Sequence, residues 1–202
     1  MRYDHITEKP YCCVPAVLQM IQERRGLISM SQDEIGWELG LIVPAEVKSK
    51  FIKVRTGPKP SVGYGTQVSN PQFSIEEYFA RNCLPLSIKR VSATSVLELD
   101  SIIGSALKKD DDIVLCLNSL HLFGEGDIEH VFLIEKYNEA IDEVTVVDPA
   151  IGAPVHRVTV VGSIFETIQN HNVSTLGGIW IISGKNESTT RHSSGSQTAG
   201  AA

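Results

Sequence analysis

The residues of this chain with the clearest chemical potential are a cysteine, a histidine and an aspartate set far apart. Cys13 belongs to the run Tyr11-Cys12-Cys13-Val14-Pro15-Ala16-Val17-Leu18-Gln19-Met20-Ile21. Val14, Val17, Leu18 and Ile21 recur at i, i+3, i+4 and i+7, the spacing of one apolar helical face, and Ala16 and Met20 widen it. Pro15 fits a first helical turn, where its missing N–H would have no partner anyway. Cys13 therefore falls at a helix N-terminus, where unpaired N–H groups and the positive end of the dipole favour a thiolate. On this reading Cys13 is the low-pKa thiol of the chain. His130 opens the apolar run His130-Val131-Phe132-Leu133-Ile134, and Asp148 closes Val144-Thr145-Val146-Val147-Asp148-Pro149. Taken singly, each has a plainer role: a packing thiol, a structural histidine, a turn aspartate. In this order they match thiol nucleophile, base and orienting acid.

Composition sets the frame for these residues. The chain has 202 residues, 42% hydrophobic and 21% charged, an ordinary globular balance with enough length for a substantial core. Its net charge of −6 offers no basic surface for nucleic acid, although Lys48, Lys50, Lys53 and Arg55 form a local basic group. Cys12, Cys13, Cys83 and Cys116 show no Cys-x-x-Cys spacing, so no metal site and no cofactor are expected from the sequence. The polar N-terminus does not read as a signal peptide, and no run approaches the ~18 apolar residues of a membrane span. A soluble protein of the reducing cytoplasm is expected, or one exported by a route that needs no cleaved signal. No membrane insertion is expected, and the oligomeric state is left open.

The positioning elements follow from periodicity and caps. A helix is predicted over roughly Cys13 to Arg25, with Gly26 as its stop. Capping signatures at Ser31, Ser74 and Ser95 predict three more helices, the last carrying Leu99, Ile102, Ile103 and Leu107 at helical spacing. Strands are predicted at Leu86 to Val91, Ile113 to Leu117, His130 to Tyr137, Glu143 to Val147, Arg157 to Val161 and Leu176 to Ile182. A short helix is expected from Ser163. Residues 44–72 carry Pro58, Pro60, Gly63 and Gly65 with little periodicity. They form either a flap that borders a cleft or a solvated excursion. Lys185 to Ala202 reads as a disordered tail. Helices dominate the first half and strands the second, which predicts an α+β fold with helices gathered on one side of a largely antiparallel sheet. Whether Asp148 reaches His130 depends on strand register.

The run Cys13-Val14-Pro15-Ala16-Val17-Leu18-Gln19-Met20 resembles the nucleophile motif of papain-like cysteine peptidases, in particular the bacteriocin-processing, double-glycine leader peptidases and their stand-alone relatives. In that family a histidine opens a strand, as His130-Val131-Phe132-Leu133 does, and the acid lies in an Asp-Pro after the next strand, as Asp148-Pro149 does. The resemblance spans roughly Tyr11 to Gly184. It implies one papain-like domain over residues 1–184, with a helical lobe to about 85 and a sheet lobe over about 86–184. It further implies a Cys13–His130–Asp148 triad that hydrolyses a peptide or isopeptide bond in a peptide or protein substrate through an acyl-enzyme. Acyl transfer by the same triad, or a catalytically inactive binding module, are the alternatives.

Two departures stand out. Val14 replaces the usual glycine after the nucleophile, and the oxyanion-hole glutamine about six residues earlier is missing. Its place falls on Thr7, with Glu8 next, and neither carries a side-chain amide. Thr7 through its hydroxyl and Gln67 through its amide are the candidate replacements. Cys12 is a packing residue or, in the other register, the nucleophile; Pro15-Ala16 favours Cys13. Cys83 and Cys116 read as core thiols.

Overall fold

The structure, a computed structural model, describes residues 1–126, 129–170 and 177–185. Most of the expected tail, Leu176 at the expected start of the last strand, and Asp127 of the loop ahead of His130 lie outside those residues. Two short parallel strands, β1 (Ile42–Val43) and β2 (Arg55–Thr56), pair within the 44–72 region. The main sheet holds β3 (Leu86–Val91), β4 (Asp112–Leu117), β5 (His130–Asn138), β6 (Glu143–Val147), β7 (His156–Thr159) and β8 (Gly178–Gly184). Its order is β3-β8-β4-β5-β6-β7, and every neighbouring pair is antiparallel. Helices are α1 (Cys13–Arg24), α2 (Gln32–Glu38), α3 (Ile75–Arg81), α4 (Val96–Lys108), α5 (Ser119–Phe123) and α6 (Val161–Asn170). The chain is therefore α+β.

Both faces of the sheet are covered, which corrects the expectation that the helices gather on one side. Val114, Val131, Leu133 and Trp180 share one core with Val17, Leu18 and Ile21 of α1 and with Tyr78 and Phe79 of α3. The alternate residues Ile113, Leu115, Phe132 and Ile134 share a second core with Leu99 and Ile103 of α4 and Ile164 of α6. The reason is legible in β4, whose six residues are all buried. A strand with an unbroken apolar run needs a cover on each side, and the apolar stripe of α4 supplies the second one.

Local signals set most boundaries. Ser31 forms a full capping box with Glu34, and Ser74 and Ser95 accept from the N–H groups of Glu77 and Glu98. Gly26 ends α1 at φ +63°, a conformation that favours glycine. The strand expected over Arg157 to Val161 instead closes at Thr159, and α6 starts at Val161 rather than Ser163. α5 has no counterpart among the expected elements. It is a single turn capped by Asn118, whose side chain accepts from the His121 N–H at 2.9 Å.

One end of α1 is fixed electrostatically. Asp112, at the start of β4, has a fully buried carboxylate. It accepts from Arg24 Nε at 2.7 Å, Arg25 Nε at 2.5 Å and the Tyr3 hydroxyl at 2.8 Å. A buried charge held by three hydrogen bonds, two of them from guanidinium groups, fixes geometry well, and removing one partner of such a set is costly. Asp112→Ala is expected to lower stability by about 3 kcal/mol in urea unfolding. A change below about 1 kcal/mol, the range of an exposed ion pair, would show that the cluster does not fix α1.

Candidate active site

Cys13 is the first residue of α1, with Cys12 as the residue before the helix. The Val14 N–H bonds to the Cys13 sulfur, so the helix terminus does reach the thiol. Cys13 is half-buried at the floor of a cavity of about 450 Å³, which it lines with Tyr11, Val68, Cys116, His130 and Trp180. The 44–72 region borders the same cavity through Val47, Val62, Tyr64 and Thr66. The Tyr64 ring lies 5.8 Å from that of Tyr11, which holds this segment beside the thiol. A second cavity of about 540 Å³ lies across Glu8 and His130, lined by Glu125, Asp148 and Arg157. Glu8 and His130 thus stand where the two hollows meet.

His130 and Asp148 are brought together, and the register answers the question left open by the sequence. His130 is 4% exposed and Asp148 2%. His130 Nε2 donates to Asp148 Oδ1 at 2.8 Å. An ionised carboxylate only accepts, so Nε2 carries a proton in this bond. Asp148 Oδ1 also accepts from the Ala150 N–H at 2.9 Å, and Oδ2 accepts from Arg157 Nε at 2.7 Å. Arg157 in turn reaches Glu125 at 2.8 Å and lies over the Phe123 ring. Burial by itself would raise the Asp148 pKa. The hydrogen bonds from His130 and Ala150 and the nearby Arg157 charge outweigh it and hold the carboxyl below its ordinary range. Phe132 meets the His130 ring edge-on at 4.7 Å, which restricts its rotation.

Glu8, rather than Thr7 or Gln67, stands beside the thiol. A carboxylate oxygen of Glu8, the Cys13 sulfur and a ring nitrogen of His130 all lie within 4.8 Å of one another. Thr7 is exposed and lines neither cavity. The Gln67 amide donates to the carbonyls of Gly63 and Gly65 at 3.3 and 3.0 Å, so it stiffens the flap instead of facing the site. The backbone of Glu8 is fixed from two directions. Its N–H donates to Pro149 O at 2.8 Å, next to Asp148. Gln32 of α2 clamps its neighbours, donating to Thr7 O at 2.9 Å and accepting from the Lys9 N–H at 2.7 Å. The chain then turns through Tyr11 at φ +65°, a left-handed conformation unusual for a tyrosine.

The electrostatics reverse one expectation. Cys13 does not emerge as a low-pKa thiol: burial pushes it well up, and the Glu8 carboxylate pushes it further, against the pull of the Val14 N–H. A helix terminus contributes modestly, whereas desolvation and an adjacent anion both oppose the thiolate. Cys12 is fully buried with Leu41 and Val43, and burial followed by the Glu8 and Asp33 carboxylates pushes it up to about 12. Cys116 is also buried and is raised to about 12. Cys83 is exposed, contrary to its reading as a core thiol.

No protein-family model matches the chain, and no curated protein matches it. The site's chemistry accordingly rests on its own geometry. Sequence reasoning passed over two of its residues. Glu8 was one position from the expected oxyanion side chain. Arg157 sits in an alternating strand and gives no local signal of its role.

Two outcomes follow from these electrostatics. In metal-free buffer, iodoacetamide should label Cys13 slowly near pH 6 and faster as pH rises toward and beyond the ordinary thiol value of about 8.5. Glu8→Gln should speed labelling at neutral pH, read by mass mapping; equal rates would remove Glu8 as the controlling charge. Asp148 has a lowered folded pKa, so its contribution to stability is full above its ordinary value of about 3.9 and drains away as pH falls through the lowered value. Unfolding midpoints measured from about pH 5 down to pH 2 should therefore fall less steeply in Asp148→Asn than in the wild type.

Proposed function

We propose that the protein is a cysteine peptidase of papain-like fold, acting on a peptide or isopeptide bond through an acyl-enzyme. The observation that carries this reading is the convergence of the Cys13 sulfur on the His130 imidazole, with Asp148 on the ring's Nε2. Cys13 attacks the carbonyl carbon while His130 Nδ1 takes the thiol proton. That proton passes to the leaving amine, which breaks the C–N bond. Water, deprotonated by the same imidazole, then opens the thioester. Asp148, itself braced by Arg157 and the Ala150 N–H, keeps the ring in the tautomer that leaves Nδ1 basic. Because burial and Glu8 raise the thiol pKa, Cys13 rests as the neutral thiol, and its proton passes to His130 as attack proceeds.

The two hollows that meet at Glu8 and His130 fit an extended peptide or protein substrate running across the thiol. The flap residues Val62 and Tyr64 wall one side, which supports the reading of residues 44–72 as a segment that shapes substrate choice. Acyl transfer to an amine uses the same groups and differs only in the second nucleophile. Four free thiols suit a reducing compartment, and the proposal places the protein in the cytoplasm. Among the described residues no helix is long and apolar enough to cross a membrane.

One observation favours a second reading, a papain-like fold that binds peptides without cleaving them. The oxyanion would form beside the attacking sulfur, and the Glu8 carboxylate lies within 4.8 Å of that sulfur. A carboxylate there repels the developing charge; only the protonated acid donates. Loss of an oxyanion donor typically costs about 10²–10³ in rate.

Incubation with a proteome-derived peptide library, with new termini read by mass spectrometry, separates the readings. The wild type should cleave slowly, Cys13→Ala not at all, and Cys12→Ala nearly as well as wild type. Glu8→Gln, which supplies an amide, should raise turnover on the order of 10²-fold. Cleavage that survives in Cys13→Ala sinks the peptidase reading. Silence in both the wild type and Glu8→Gln supports the binder.

A further inference from the structure

We propose that Glu8, Cys13 and His130 form a zinc site that reversibly masks the thiol of the cleft. Their donors are a carboxylate oxygen, a sulfur and an imidazole nitrogen, all within 4.8 Å of one another. In a tetrahedral zinc site, with Zn–S of about 2.3 Å and Zn–N or Zn–O of about 2.0–2.1 Å, ligand atoms stand about 3.5 Å apart. The three side chains need to close by little more than an ångström, a movement that falls to the half-buried Glu8 and Cys13 while His130 stays fixed.

The donor set selects the ion. Magnesium and calcium prefer all-oxygen cages, whereas thiolate with imidazole and carboxylate suits zinc. The surroundings are built as a metal-binding histidine needs. His130 gives its Nε2–H to Asp148 at 2.8 Å, and Asp148 is held by Arg157 at 2.7 Å. This carboxylate–histidine relay engages Nε2 and leaves Nδ1 as the nitrogen to ligate the ion. Glu8 is anchored through its own N–H to Pro149 and through the Gln32 clamp, so the carboxylate is placed by backbone. All three residues line the cavity of about 450 Å³, which would leave room for a water as fourth ligand.

Binding forms the Zn–S bond as the thiol proton leaves to solvent, with no change in oxidation state. The bound ion occupies the Cys13 lone pair and the His130 Nδ1 together, so neither nucleophile nor base remains. The site itself stands independently of the peptidase reading; the statement that zinc silences hydrolysis rests on that reading. Glu8 then has a function its position otherwise works against. The residue that weakens the oxyanion site is the third metal ligand.

The test uses the full chain and zinc or cobalt chloride. Isothermal titration of the chelator-treated protein with Zn²⁺ should give one site. Co²⁺ should give a sulfur-to-cobalt charge-transfer band that Cys13→Ser removes and Cys83→Ser leaves intact. Glu8→Gln should weaken zinc binding at least tenfold, in protein whose circular dichroism and melting temperature match the wild type. One equivalent of Zn²⁺ should slow iodoacetamide labelling of wild-type Cys13 at least tenfold, and EDTA should restore it; this arm needs no variant. The proposal is overturned by a cobalt–sulfur band that persists in Cys13→Ser, by zinc affinity unchanged in Glu8→Gln, or by labelling unaffected at saturating zinc. Labelling that rises on zinc addition overturns it equally. Absence of peptide cleavage, with zinc binding intact, would count against the peptidase reading alone.

Discussion

The placement of α1 across the sheet governs the rest of the molecule. Its apolar face, Val14, Val17, Leu18 and Ile21, packs into the core beneath β4, β5 and β8. Its C-terminal end is tied to Asp112 at the start of β4 through Arg24 and Arg25. A rigid helix held at one end by buried charge and along its length by apolar packing cannot slide. The first residue of α1 is therefore delivered to a fixed point, beside the start of β5. Because β4 and β5 run antiparallel with Leu117 opposite His130, the strand ends near that point belong to the exit of one and the entry of the other. Loops meet there, and the cleft opens between them.

A second layer of positioning comes from polar contacts around Glu8 and His130. Gln32 opens α2 and clamps the backbone on either side of Glu8. Arg157 on β7 braces Asp148, which orients His130 on β5. Arg157 on β7 thus acts on the imidazole of β5 through Asp148, while α2 acts on the Glu8 backbone. His5 adds a further tie, its Nε2 lying 3.0 Å from the Asp148 carbonyl, so the N-terminal segment is stitched along the Asp148-Pro149 turn.

The site holds two tendencies in opposition. The Cys13–His130–Asp148 arrangement suits a nucleophilic thiol, and the Val14 N–H favours its charged form. Glu8 and burial favour the neutral thiol. An anion at this place disfavours both a thiolate and an oxyanion, and it favours a cation.

Local signals along the chain account for five of the six helices, most strands and the placing of Cys13, His130 and Asp148 at the ends of elements. Serine caps, apolar periodicity and a proline in the first turn are local signals, read within four residues of where they act. Cys13, His130 and Asp148 were legible because each sits at the end of an element whose pattern is strong. The second cover of the sheet was hinted at by the unbroken run in β4, yet which helix supplies it is a tertiary matter. Long-range packing is what sets Glu8 beside the thiol and leaves Thr7 exposed, through contacts with Pro149 and Gln32 that no local pattern encodes. It also decided that Gln67 serves the flap and that Arg157 braces Asp148. The state of the thiol lay furthest from the sequence. A pKa is set by burial and by charges that arrive from elsewhere in the chain, and no spacing along the sequence encodes the distance at which they come to rest.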